Sequence, residues 1–67
     1  MNIEEIAIVI RKKRDLLNIT QQDLATRSGV HLRSINNLEG GKGNPSLDTL
    51  LKIAEVLKLE LIVRTPH

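Results

Sequence analysis

Apolar positions fall three and four residues apart along most of this chain, and the rhythm changes to every second residue only near its end. Ile3, Ile6, Ile10 and Leu17 are spaced by three, four and seven, with Val9 and Leu16 widening the stripe, which predicts an amphipathic helix over residues 1–17. The β-branched run at 6–10 has the composition of a strand, but no turn signals bound it and the charged RKKRD behind it keeps the helical register. Asn18 follows where a helix end needs a left-handed residue, a place Asn fills when Gly does not. Leu24, Val30, Ile35 and Leu38 make an apolar inner surface between two shorter helices, and Leu47, Leu50, Leu51, Ile53, Ala54 and Leu57 give a fourth helix a face to bury. Past Lys58, Leu59, Leu61 and Val63 alternate with Glu60, Ile62 and Arg64, a period of two that predicts a short strand at about 59–65.

The stretch over residues 20–40, TQQDLATRSGVHLRSINNLEG, organises the rest. Thr20 is a suitable N-cap for the second helix, which begins at Gln21, and Asp23 is a short relative of the capping-box partner. Ala25 is no larger than a methyl group where two helices cross closely. Gly29 lets the chain leave that helix through a left-handed conformation that costs a residue with a Cβ about 1 kcal/mol or more. The third helix, roughly 31–39, turns Val30, Ile35 and Leu38 inward and leaves Leu32, Arg33, Asn36 and Asn37 outward. Two short helices fixed by one tight turn form the helix-turn-helix pattern, and the outward face of its second helix carries side chains that pair bidentately with guanine and adenine edges. The loop GGKGNP at 40–45 is closed by Pro45, and Ser46 caps the fourth helix with Asp48 in its first turn. No strand precedes that loop and the Walker and dinucleotide spacings are absent, so its glycines do not read as a nucleotide site.

Composition narrows the possibilities. Sixty-seven residues make a single small domain, 1–67, whose core supplies only a few kcal/mol, so association is the expected source of further stability. There is no Cys, and two distant His residues do not form a metal site, so neither metal nor cofactor is expected. No apolar run approaches the roughly 18 residues of a membrane span, and the acidic N-terminus is unlike a signal peptide, which predicts a cytoplasmic protein, on the nucleoid when bound to DNA. No nucleophile with a base, metal cluster or phosphate loop supports an enzyme. The net charge of +2 permits nucleic-acid binding without requiring it. In the basic run 11–14, Lys12 and Lys13 read as a solvated face near a helix C-terminus.

The spacing A-x-x-x-G-V-x-x-x-x-I-x-x-L-E over 25–39, preceded by T-Q and followed by G-x-x-x-P-S-L, resembles the DNA-binding domain of the lambda repressor and Cro family, also called Xre-like, over residues 10–57. The resemblance implies a structural frame in which Ala25, Gly29 and Ile35 shape the motif and the Arg14 guanidinium pairs with Glu39, tying the first helix to the third. It also implies phosphate contacts for Thr20 and Gln21 at the start of the second helix and for Lys42 and Asn44 in the loop. Leu32, Arg33, Asn36 and Asn37 become the base-reading candidates. Two departures matter. Leu32 stands where Gln is frequent and can touch at most a thymine methyl. His31 replaces the usual Ser or Thr N-cap, so either the third helix starts less firmly or His31 itself reaches DNA.

An isolated strand is unstable, so the segment 59–65 is expected either to pair with its symmetry mate in a homodimer, through Leu59, Leu61 and Val63, or to be a disordered tail. Short repressors of this kind resemble HipB-type antitoxins, which dimerise through such a strand and bind a kinase-like toxin. The expectation is an all-α domain of four to five helices with a terminal strand paired across a dimer. It would repress transcription from an inverted-repeat operator in double-stranded DNA, its own promoter among the candidates. The alternative is an antitoxin whose main task is holding a kinase-like toxin.

Overall fold

The computed structural model describes residues 2–66; Met1, where the expected first helix begins, lies outside them. Four helices follow in order: α1 Ile3–Leu16, α2 Gln21–Ser28, α3 Leu32–Glu39 and α4 Leu47–Leu57. Three of the four starts are capped by a side chain. Asn2 Oδ1 accepts from the Glu5 N–H at 2.9 Å, Thr20 Oγ1 from Asp23 at 3.0 Å and Ser46 Oγ from Thr49 at 3.1 Å. His31, at the N-cap of α3, makes no such bond, so α3 starts without side-chain support.

At α2 the cap is reciprocal, because the Thr20 N–H donates to Asp23 Oδ2 at 2.9 Å. That backbone donor first, and then the Thr20 hydroxyl, hold the Asp23 carboxyl below its ordinary value. A depressed folded pKa means a stabilising contribution that is complete at neutral pH and lost as the pH falls through the folded value. Asp23→Ala is therefore expected to lower the melting temperature at neutral pH, with the gap to the parent closing as the pH drops below the ordinary aspartate value of 3.8. Melting curves across the acid range check this; a gap of constant size would mean the carboxylate charge is not what holds the box.

Three helix ends share one device. Asn18, Gly41 and Lys58 all take positive φ. Each donates its N–H three residues back, while the following residue donates five back: Ile19 to Arg14 at 3.3 Å, Lys42 to Asn37 at 2.9 Å and Leu59 to Ala54 at 2.9 Å. This is the Schellman arrangement, and it satisfies carbonyls that the helix ends would otherwise leave bare. Gly29 closes α2 at φ 77, as expected of a left-handed exit. Open space surrounds the position of a Cβ at Gly29, so the glycine serves the backbone angle and not the packing.

The core joins Ile10, Ile19, Leu24, Ala25, Val30, Ile35, Leu38, Ile53 and Leu57. The motif residues predicted to face inward are all in it. Helix α3 packs on α1 and α2, and α4 packs on α2 and α1. Full burial of Leu24, Ile35, Leu38, Ile53 and Leu57 contributes roughly 1.5–3 kcal/mol each before conformational entropy is counted.

The stripe of α1 is narrower than predicted. Ala7 and Ile10 are buried and Ile3 and Ile6 pack on the core, but Val9 is 43% and Leu16 78% exposed. At 100° per residue, Leu16 lies about 120° round from Ile10, outside the buried face. In α4 the buried line is Ile53, Ala54 and Leu57 with Leu50 beside it, while Leu47 and Leu51 stay exposed. Residues 59–66 form no strand, contrary to the period-two reading. A strand needs a partner for its ladder, and the described residues of one copy form no strand to supply it. The terminal segment instead leaves the α4 cap with Leu59 against the core and Leu61, Ile62 and Val63 exposed.

Candidate nucleic-acid interface

Helix α3 presents its two faces sharply. Ile35, Leu38 and Glu39 are buried, and His31, Leu32, Arg33, Ser34, Asn36 and Asn37 are exposed. Leu32, Arg33, Asn36 and Asn37 fall within an arc of about 140° at 100° per residue, so one groove-sized face carries all four predicted readers. His31 stands beside them at the N-cap.

Beneath this face runs a buried anchor. Arg14 Nε donates to Glu39 Oε2 at 2.7 Å and Arg14 Nη2 to Glu39 Oε1 at 2.9 Å, the bidentate fork expected of this pair. Arg14 Nη1 donates to the Ile19 carbonyl at 2.9 Å, which fixes the turn after α1 as well. The Glu39 side chain is only 2% exposed and that of Arg14 15%. Hydrogen bonding to Glu39, against the cost of desolvation, keeps the Arg14 guanidinium above its ordinary pKa. Two charges taken out of water are thereby matched, and α1 is tied to the last turn of α3.

Gln21 extends the network. Its Nε2 donates to Glu39 Oε1 at 3.1 Å, and its Oε1 accepts from Asn36 Nδ2 at 2.9 Å. Of the phosphate candidates, Thr20 spends its hydroxyl and its N–H within the capping box. The backbone N–H groups of Gln21 and Gln22 have no partner among the described residues, and they lie at the positive end of the α2 dipole. Lys42 and Asn44 are exposed in the loop that the α3 cap delivers. They line a hollow of about 260 Å³ with Ser34, Asn37 and Thr49. Ser34 and Thr49 were not predicted for this site; the signal available was the three-residue step from Ser34 to Asn37 on one helix face.

Two of the residues expected to dimerise, Leu59 and Leu61, lie at a groove to which no residue of α2 or α3 contributes. That apolar groove measures about 250 Å³; its floor is Ile6, Ile10, Ile53 and Ala54, with Val9 and Leu50 also on its wall. Val63 is 96% exposed and lies beyond it. Among the described residues no cluster of His, Cys, Asp and Glu could hold a metal ion, and no helix is long and apolar enough to cross a membrane.

A family profile described as helix-turn-helix, HTH_3, matches residues 10–63. An HTH-type transcriptional regulator of Archaeoglobus fulgidus is 44% identical over 52 residues, covering 78% of this chain and 73% of that protein. The cryptic phage CTXphi transcriptional repressor RstR of Vibrio cholerae is 33% identical over 52 residues, 78% of this chain and 46% of its own length. A solved structure described as an MDT protein superposes with a TM-score of 0.85 at 25% identity, over all of this chain and 94% of the other.

Proposed function

Because this chain belongs to the helix-turn-helix family whose relatives are transcription regulators, we propose that it is a repressor that binds an inverted-repeat operator in double-stranded DNA as a homodimer. One observation carries the reading: a short helix with Arg33, Asn36 and Asn37 exposed on one face, locked from behind by the buried Arg14–Glu39 pair. Arg suits guanine O6 and N7, and Asn suits adenine N6 and N7. The free N–H groups opening α2 and the Lys42 loop flank that helix as phosphate contacts. The homodimer is supported by the apolar groove beside residues 59–62 and by the small core of the domain. Two reading helices about 34 Å apart then meet successive major grooves. The antitoxin alternative draws no support from these relatives, whose names speak of transcription.

Selection of sites from random duplex DNA tests the proposal, and a chain that enriches no sequence would refute it. On the selected operator, Arg33→Ala is expected to cost about 1–3 kcal/mol and to relax preference at one base pair. Lys42→Ala should weaken all sequences alike and reduce the slope of log affinity against log salt by about one. Equal loss on operator and random DNA for Arg33→Ala would remove it from the base readers.

A further inference from the structure

We propose that Gln21 is a positioning residue that fixes which end of the Asn36 amide faces DNA, and thereby makes Asn36 select adenine. This rests on the DNA-binding reading above and deepens it.

As the carboxylate partner of Arg14, Glu39 can only accept hydrogen bonds. Gln21 must therefore turn its NH₂ end to Glu39, which it does at 3.1 Å, and that leaves its oxygen facing α3. An amide oxygen only accepts as well. Asn36 accordingly turns Nδ2 towards Gln21, at 2.9 Å. Reversing the Gln21 amide would set its oxygen against the carboxylate, and reversing that of Asn36 would set oxygen against oxygen. The polarity of a surface side chain is thus dictated by a buried ion pair, through one residue of α2. Leu32 lines the same hollow as Gln21 and has no polar atom to compete for the amide.

Asn36 keeps Oδ1 and its second Nδ2 hydrogen for a ligand, and the lock stops them exchanging places. An unheld Asn amide turns over and offers either end. In the major groove the amino groups of adenine N6 and cytosine N4 donate, whereas guanine O6 and thymine O4 accept. A fixed Oδ1 favours the amino bases, and only adenine adds an adjacent acceptor, N7, for the remaining hydrogen.

Operator duplexes changed one base pair at a time are titrated with the wild-type chain, Gln21→Met, Asn36→Ala and the double variant. Met keeps a long side chain and good helix propensity but has no amide. The position at which Asn36→Ala relaxes preference is expected to be an A·T pair. Replacing its adenine by purine, which lacks the amino group, should cost the wild type about tenfold in affinity. Gln21→Met should keep part of that factor but lose most of the preference for A·T over G·C at that position, because an unheld amide can turn its NH₂ end to guanine O6. It should leave preference elsewhere unchanged and add nothing in the Asn36→Ala background. A G·C pair at that position overturns the inference, and this arm needs only the exposed Asn36 to be altered. Uniform weakening of all duplexes by Gln21→Met, as loss of a phosphate contact alone would give, also overturns it while leaving DNA recognition intact. A wild-type chain that prefers no sequence overturns both.

Discussion

Arg14→Ala is expected to unfold most of this domain. The variant leaves Glu39, with a side chain 2% exposed, holding only the Gln21 donor where it had three hydrogen bonds. Breaking a buried pair from one side costs about 3–5 kcal/mol, because the remaining charge stays out of water without its partner. A domain of 67 residues has roughly 3–10 kcal/mol of total stability at 0.05–0.15 kcal/mol per residue, so the loss is of the same size as the whole. The turn after α1 suffers too, since Arg14 Nη1 holds the Ile19 carbonyl. Arg14→Lys should recover little, because an ammonium cannot bridge both oxygens of Glu39 and that carbonyl in one plane. Replacing both partners, Arg14→Met with Glu39→Leu, should restore much of the stability, since no charge is then left buried. Urea denaturation of the parent, Arg14→Met, Glu39→Leu and the double variant measures this as a cycle. Additive losses in the cycle would show that the two residues do not act as a pair.

The contrast between Arg14 and its neighbours shows what a sequence can carry. Within RKKRD the basic residues differ little locally; the family spacing singles out Arg14, and the 100° turn per residue, which sets Lys13 about 100° and Lys12 about 200° round the helix from it, explains why those two do not reach Glu39. Leu24, Ala25, Gly29, Val30, Ile35 and Leu38 were legible because helix packing and one tight turn impose their spacing directly. For Gln21 the resemblance implies a phosphate contact; what the structure adds is that its amide joins Glu39 and Asn36 of α3. Its choice depends on residues 15 and 18 positions away, which no local pattern encodes. Leu47 and Leu51 have the right residue type but lack the surrounding elements that would bury them. The alternation at 59–65 is a property of the chain, whereas a strand is a property of two segments, so the period could be read and its outcome could not.

That terminal segment gives the largest expected change in DNA affinity. In the proposed dimer, a chain ending at Lys58 loses the apolar cover that Leu59, Leu61 and Ile62 place beside α1 and α4. It also loses the Leu59 N–H bond to Ala54 that closes α4. The melting temperature should fall and should cease to depend on protein concentration, as expected when association no longer contributes. Operator affinity should drop by about 10²- to 10⁴-fold, because two linked half-site contacts become two separate ones. Each half-site contact itself survives, since neither α3 nor its Arg14 anchor lines that groove. Truncation alone confounds loss of the dimer with damage to the end of α4. Leu61→Lys with Val63→Lys separates them: both side chains are exposed in one copy, and Leu59 stays in place. The double variant should therefore keep the stability of the isolated domain, sediment as a monomer at micromolar concentration and show the same loss on the operator. A double variant that stays dimeric with unchanged operator affinity would place the subunit contact elsewhere, and the exposed Leu47 and Leu51 of α4 would be the next apolar surface to substitute.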